Sequence, residues 1–165
     1  MNKMKELKVE KVILHCSTAD QDKLEKSMKL LKLISGRQPI KTLSKKRIPA
    51  FKIRPGLAIG CKVTLRGEKA VELLRRLFTG ITSLKEKQIS PGFFSFGIKE
   101  YIEIPSIPYQ RDIGIMGFDV VVNLTRSGKR IENRKLKKSK MGNKQRITKE
   151  ETREFIKKNF NLNIE

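Results

Sequence analysis

The 165-residue chain has few of the residues that build metal centres or disulfide scaffolds. It contains two cysteines, Cys16 and Cys61, one histidine, His15, and no tryptophan. The cysteines form no CxxC pair, so a disulfide framework and a zinc site are not expected. We expect both cysteines to be small apolar residues on strands, and we expect no metal and no cofactor.

Long apolar runs are absent as well. No stretch approaches the ~20 apolar residues of a membrane-spanning helix. The first six residues, Met-Asn-Lys-Met-Lys-Glu, lack the apolar core of a secretion signal. We therefore expect a cytoplasmic protein. Enzymatic activity is not expected, because His15 has no identifiable nucleophile or orienting partner.

Acidic residues are scarce relative to basic ones. The chain has 38 Lys and Arg against 17 Asp and Glu, which gives a formal net charge of +21. An excess of this size calls for a polyanionic partner. A chain of this length makes about one domain, and we expect a single domain over residues 1–165.

Hydrophobic periodicity predicts an α+β fold. Strands are predicted at 9–16, 40–43, 57–66, 94–98, 101–104 and 118–124. Helices are predicted from Asp20 to Gly36 and from Ala70 to Gly80, and a loop is predicted at 81–92. This order indicates a mostly antiparallel sheet with helices packed on one face.

The C-terminal part differs in composition. Of the 24 residues at 126–149, eleven are basic and only Glu132 is acidic. We expect residues 126–147 to form a basic extension that is mobile until it meets an anion. A capping box of Thr148 and Glu151 then predicts a short C-terminal helix at 148–160.

The basic residues are concentrated on one stretch and on one face. Between Lys26 and Gly67 there are twelve basic residues and no acidic one. We expect one sheet face to pack on helices and the other to offer cations and hydrogen-bond donors to a folded nucleic acid. The alternative is an ordinary solvated strand face, which usually mixes both signs. The candidate RNA-binding residues here are Lys11, His15, Arg37, Lys41, Lys62, Thr64 and Arg66.

Two further segments combine cations with exposure. In the loop at 45–56, Phe51 is placed to stack on an unpaired base while Lys52 and Arg54 hold phosphates. The alternative is that Phe51 and Ile53 pack into the core. In the extension, the candidates for contacts to phosphates are Arg126, Arg130, Arg134, Lys137 and Lys138. The alternative there is a solvated linker.

One run of the sequence resembles a known family. Residues 51–67, FKIRPGLAIGCKVTLRG, are similar to the signature of large-subunit ribosomal protein family five, which is family eleven in eukaryotic naming. Further similar segments follow the family's order, so the resemblance covers nearly the whole chain; they lie at 9–14, 34–37, 94–98 and 113–119. Residues 123–128 and the basic stretch before Glu151 resemble archaeal and eukaryotic members.

The resemblance implies a structural protein of the central protuberance of the large subunit. Such a protein binds 5S rRNA, anchors it to the large-subunit rRNA and lies beside neighbouring ribosomal proteins. The resemblance also implies contact with a small-subunit bridge protein. The residues that match 5S rRNA contacts are Lys11, His15, Arg37, Phe51 and Thr64. The loop that matches the contact with the peptidyl-site tRNA elbow includes Arg47, Lys52, Arg54, Pro55 and Gly56.

Two of these positions depart from the family. His15 stands where many members have asparagine, and Arg37 replaces a usual glutamine, so the local contacts differ. The alternative function is a free nucleic-acid chaperone that uses the same charge without discrimination. A peripheral membrane protein would need an amphipathic basic helix, which the extension lacks, so we expect no membrane partner.

Overall fold

The computed structural model describes residues 3–18, 20–81, 83–104, 107–160 and 162–165. In chain order its strands and α-helices are β1 (Leu7–Ser17), α1 (Gln21–Ser35), β2 (Ile40–Leu43), β3 (Ala58–Leu65), α2 (Glu68–Phe78), β4 (Ser83–Leu84), β5 (Ile89–Ser90), β6 (Phe93–Ile98), β7 (Phe118–Arg126), α3 (Arg130–Asn133), α4 (Lys149–Phe160) and β8 (Asn163–Ile164).

Six strands form one sheet in the order β2-β3-β1-β7-β6-β5. Every neighbouring pair in it is antiparallel. The central strand, β1, is 11 residues long and pairs with β3 on one side and β7 on the other. The short strands β4 and β8 form a separate parallel pair. The predicted α+β class and the mostly antiparallel sheet are confirmed.

The sheet buries one face because its strands alternate apolar and polar residues. In β1, Val12, Leu14 and Cys16 are buried. The residues between them, Ile13 and His15, are only half-buried. The same alternation runs through β3, β6 and β7, so four strands contribute one continuous apolar layer.

Helices α1 and α2 supply the other side of the core. Helix α1 begins after Asp20, whose side chain accepts a hydrogen bond from the Asp22 backbone N–H at 3.2 Å. It ends at Gly36, whose φ of 64° is left-handed and whose N–H donates to the Lys32 carbonyl. Both predicted helix ends are thus confirmed. The buried residues of the two helices join the apolar layer; they include Leu24, Leu30, Leu31, Leu73, Leu74 and Leu77.

The C-terminal helix, α4, is held to the core by aromatic packing. The ring of Phe78 on α2 lies 4.8 Å from that of Phe160 and 5.1 Å from that of Phe96, centroid to centroid. The predicted capping box is present, since the Thr148 N–H donates to the Glu151 carboxylate at 2.9 Å and the Glu151 N–H donates to the Thr148 hydroxyl at 3.3 Å.

Two predictions about local structure are wrong. Residues 101–104 are not a strand, because Tyr101–Glu103 form a single 3₁₀ turn. Tyr101 and Ile104 are buried while the two residues between them are exposed, a three-residue spacing that suits such a turn. The predicted loop at 81–92 also contains the short strands β4 and β5.

The basic extension contains short helical turns. It contains α3 and a 3₁₀ turn at Asn143–Gln145. The Lys129 ammonium lies 3.1 Å from the Glu10 carboxylate on β1. The Gln145 side chain donates to the backbone carbonyls of Met4 and Ser127. The start of the extension is thus attached to β1, and its end is attached to β7, because Arg126 donates to the Arg146 carbonyl. Residues 133–140 between these contacts are exposed.

Candidate nucleic-acid interface

The sheet face opposite the helices is accessible to solvent. We call it the open face, and every residue in it is half-buried or exposed. Strand register brings these residues to the same side of the sheet, because antiparallel partners share a face. The open face consists of Lys11, Ile13, His15, Lys62, Thr64, Phe93, Ser95, Gly97, Asp119, Val121 and Asn123.

The register brings four predicted RNA-binding residues together on this face. His15 lies directly opposite Lys62, and Thr64 lies opposite Ile13. Lys11 lies opposite Asn123 on β7. One half of the open face thus combines two cations with groups that donate and accept hydrogen bonds, as contacts to RNA phosphates and sugars require.

The open face is less uniform than the sequence predicts. Asp119 is in register with His15, so one acidic residue lies among the cations. Ile13 and Val121 are adjacent in the middle of the face, and Phe93 is 45% exposed at its far side. The expectation that this face carries charges of one sign is therefore wrong. The alternation of β7 alone puts Asp119 outward, and this signal was available in the sequence.

Two predicted residues lie away from the open face. Lys41 is exposed, but its partner in register is the buried Cys61, so it projects from the helix side of the edge strand β2. Arg37 is exposed just after the end of α1. Arg66 is exposed just after β3, where Leu65 pairs with Val12, so it lies near the Lys11 end of β1. The structure thus separates Lys41 and Arg37 from Lys11 and Lys62.

The loop between β2 and β3 is a closed, exposed protrusion. Its base is fixed where the Ser44 N–H donates to the Leu57 carbonyl at 2.8 Å, and Ile48 and Ile53 pair across it. Phe51 is 69% exposed at the tip, so the alternative in which it packs into the core is excluded. We call residues 45–56 the basic loop. All its cations are exposed; they are Lys45, Lys46, Arg47, Lys52 and Arg54.

The prediction that Arg126 contacts a phosphate needs a correction, because its side chain stabilises the fold. Only 7% of it is exposed. Its guanidinium donates to the backbone carbonyls of Lys5 and Arg146 at 3.1 Å and to the Glu151 carboxylate. A cation used in this way is not available to a phosphate. The other candidates of the extension are exposed; they are Arg130, Arg134, Lys137 and Lys138.

Glu151 joins this buried cation to the start of α4. Burial raises the pKa of its carboxyl, but hydrogen bonds from the Thr148 N–H and from Arg126 outweigh burial and hold the pKa below its ordinary value. The carboxylate therefore stays charged well into the acidic range.

The two cysteines lie in register on the helix side of the sheet, and both are buried and reduced. This confirms their prediction as small apolar residues on strands. The hydrogen bond between the two thiols, together with burial, raises the pKa of Cys16, so it remains a thiol.

In the part of the chain that the structure describes, no group of three His, Cys, Asp or Glu side chains is arranged to hold a metal ion. None of the described helices has the length and apolarity to span a membrane.

The fold and the distribution of charge define a basic α+β protein with exposed surfaces suited to a polyanion. The family model described as ribosomal protein L5 matches residues 2–54, and the model described as the C-terminus of the same ribosomal protein family matches residues 58–155. Large ribosomal subunit protein uL5 of Nanoarchaeum equitans is 39% identical over 164 residues, 98% of this chain and 97% of the relative. The protein of the same name from Methanosphaera stadtmanae is 43% identical over 146 residues, 87% of each chain.

The chain therefore belongs to the uL5 family of large ribosomal subunit proteins. Membership makes it a structural component of the cytoplasmic ribosome, associated with rRNA and ribosomal proteins, and not an enzyme. The resemblance inferred from residues 51–67 is confirmed, and the archaeal relatives agree with the archaeal and eukaryotic type indicated by residues 123–128.

Proposed function

We propose that the chain binds 5S rRNA in the central protuberance and anchors it to the large-subunit rRNA. The main observation behind the proposal is that the cations of the basic loop are exposed and unpaired among the described residues. Its five cations are exposed, and none of them forms an ion pair with any residue that the structure describes. Cations held without acidic partners are available to neutralise phosphates.

The positions of the two basic segments support a long nucleic-acid ligand. The basic loop leaves the sheet next to the end of β1, and the extension leaves it next to the start of β1, where Leu7 pairs with Arg126. A strand of 11 residues spans roughly 35 Å. An RNA lying along the open face can therefore meet both segments.

We assign the tip of the basic loop to the elbow of the peptidyl-site tRNA. Arg47, Lys52 and Arg54 are exposed there, beside Pro55 and Gly56. The tip is stiffened by the Ile48–Ile53 pair and by a 3₁₀ turn at Pro49–Phe51. Contacts with a small-subunit bridge protein and with neighbouring proteins of the central protuberance complete the proposal, and family membership supports them.

Competitive binding tests this proposal. The purified chain is titrated with labelled 5S rRNA against unlabelled tRNA and duplex DNA at near-physiological salt. We expect a preference for 5S rRNA of about a thousandfold or more, the lower end of specific recognition. Near-equal binding of the three nucleic acids would instead identify a free nucleic-acid chaperone that acts by charge alone.

A further inference from the structure

The open face contains a carboxylate with no partner. Asp119 is exposed, and it forms no hydrogen bond or ion pair within the described residues. A carboxylate on a protein of net charge +21 is surrounded by potential cationic partners. Its position on the face that we assign to RNA therefore needs an explanation, because a carboxylate repels phosphates.

The residues on either side keep this carboxylate accessible. Strand register places His15 opposite Asp119 on β1 and Gly97 opposite it on β6. A Cβ added at Gly97 would lie 3.2 Å from the Asp119 Oδ1 atom. A side chain at position 97 would therefore press on the carboxylate, and the glycine leaves it uncovered.

Asp119 borders a cavity of about 480 Å³. Its apolar wall is formed by Ile13 and Val121, and its polar groups come from His15, Ser95 and Asp119. Small-molecule sites range over about 300–1,000 Å³ and combine apolar walls with a few polar groups. The size and the lining suit a flat, partly polar ring.

We infer that this cavity receives an unpaired guanine of the bound RNA, with Asp119 accepting hydrogen bonds from its Watson–Crick edge. An ionised carboxylate only accepts hydrogen bonds. Guanine presents two adjacent donor groups on that edge, the ring N1–H and the exocyclic amino group, which match the two carboxylate oxygens. The other three bases present a single donor group each. Proteins read RNA sequence mainly through unpaired bases of this kind.

The inference rests on the proposed function. It predicts that one substitution, Asp119→Asn, changes the affinity for tRNA and the affinity for 5S rRNA in opposite directions. Replacing Asp119 by Asn removes a negative charge, so binding to tRNA, which we assign to the basic loop and not to the open face, should become tighter. Binding to 5S rRNA should weaken about tenfold, because the paired contact to guanine is lost. Glu72→Gln, which removes an exposed carboxylate from α2, is the matched control and should not weaken binding to either RNA. Thermal unfolding of each variant shows whether the fold is kept.

Inosine substitution locates the base. 5S rRNA carrying inosine at random guanine positions lacks single exocyclic amino groups, and wild-type protein should select against inosine at one unpaired position. Asp119→Asn should lose that selection. Two results would overturn the guanine site if the wild type still prefers 5S rRNA. One is tighter binding of Asp119→Asn to both RNAs, and the other is that the wild type selects against inosine at no position. Absence of that preference in the wild type overturns the proposed function itself.

Discussion

The basic loop and the basic extension are both rich in Lys and Arg, but they differ in how those cations are used. In the loop, no cation is paired with an acid of the described chain. In the extension, Arg126 binds Glu151 and Lys129 binds Glu10. Charge density alone therefore does not identify cations that are available to RNA. Acids distant in sequence decide which cations stabilise the fold and which remain for a ligand.

The largest expected effect on the free energy of unfolding comes from removing a cation that stabilises the fold. Arg126→Ala should lower the free energy of unfolding by about 3 kcal/mol, because it leaves Glu151 and the carbonyls of Lys5 and Arg146 without their donor. Arg130→Ala, an exposed neighbour in the extension, should change it by less than about 0.5 kcal/mol. Urea denaturation measures both. Equal effects of the two substitutions would refute the distinction between the two groups of cations.

Phe51 and Leu136 sharpen the comparison, since each is a large exposed apolar residue among cations, one in each segment. Only the aromatic ring stacks on a base, an interaction worth about 1–3 kcal/mol per base. Phe51→Ala should weaken binding to 5S rRNA accordingly, and combination with Thr64→Ala should weaken it further. Leu136→Ala should leave affinity unchanged, and all variants should unfold at the wild-type temperature. Unchanged affinity after loss of both Phe51 and Thr64 would remove them from the site.

The salt dependence of tRNA binding counts the cations that contact its phosphates. Arg47→Ala combined with Arg54→Ala should reduce the slope of log affinity against log salt by about 1.4–1.8, since each contact contributes about 0.7–0.9. Lys129→Ala should leave the slope unchanged, because Glu10 already neutralises that cation. A slope that falls for Lys129→Ala and stays constant for the loop variant would reverse the assignment.

The smallest effect concerns acidity. The pKa of Glu151 in the folded protein lies below its ordinary value of 4.5, so its stabilising effect is complete above that value and is lost as the pH falls through the folded pKa. At pH 7, Glu151→Gln should lower the free energy of unfolding by about 1 kcal/mol. The effect is modest because the carboxylate is partly exposed and its charge is screened by solvent. The difference should shrink as the solution is acidified below pH 4.5. Denaturation at neutral and acidic pH measures it, and a constant difference would contradict the role of the charge.

Local patterns predict most of this fold. The alternation of Val12, Leu14 and Cys16 identifies β1 and its buried face, and Asp20 and Gly36 mark the ends of α1 because helix caps depend on neighbouring residues only. The turn at Tyr101 is not predictable in this way, because two apolar residues three apart resemble a short strand when their burial is unknown.

Long-range contacts in the site could not be predicted in the same way. The ion pair of Arg126 with Glu151 joins residues 25 positions apart and depends on how α4 docks on the sheet. The opposition of His15 and Asp119 depends on the register between β1 and β7, which the alternation within either strand does not fix. The sequence therefore predicts which residue types face outward but not which of them meet.

The most direct test of the central claim is lysine acetylation of the chain, free and bound to 5S rRNA, read out residue by residue. We predict protection of Lys62 on the open face and of Lys46 in the basic loop. Lys23 on α1 and Lys69 on α2 are equally exposed on the helix side and should keep their reactivity. Protection of Lys23 and Lys69 with continued reactivity of Lys62 would contradict the account, since it would place the RNA on the opposite face of the sheet.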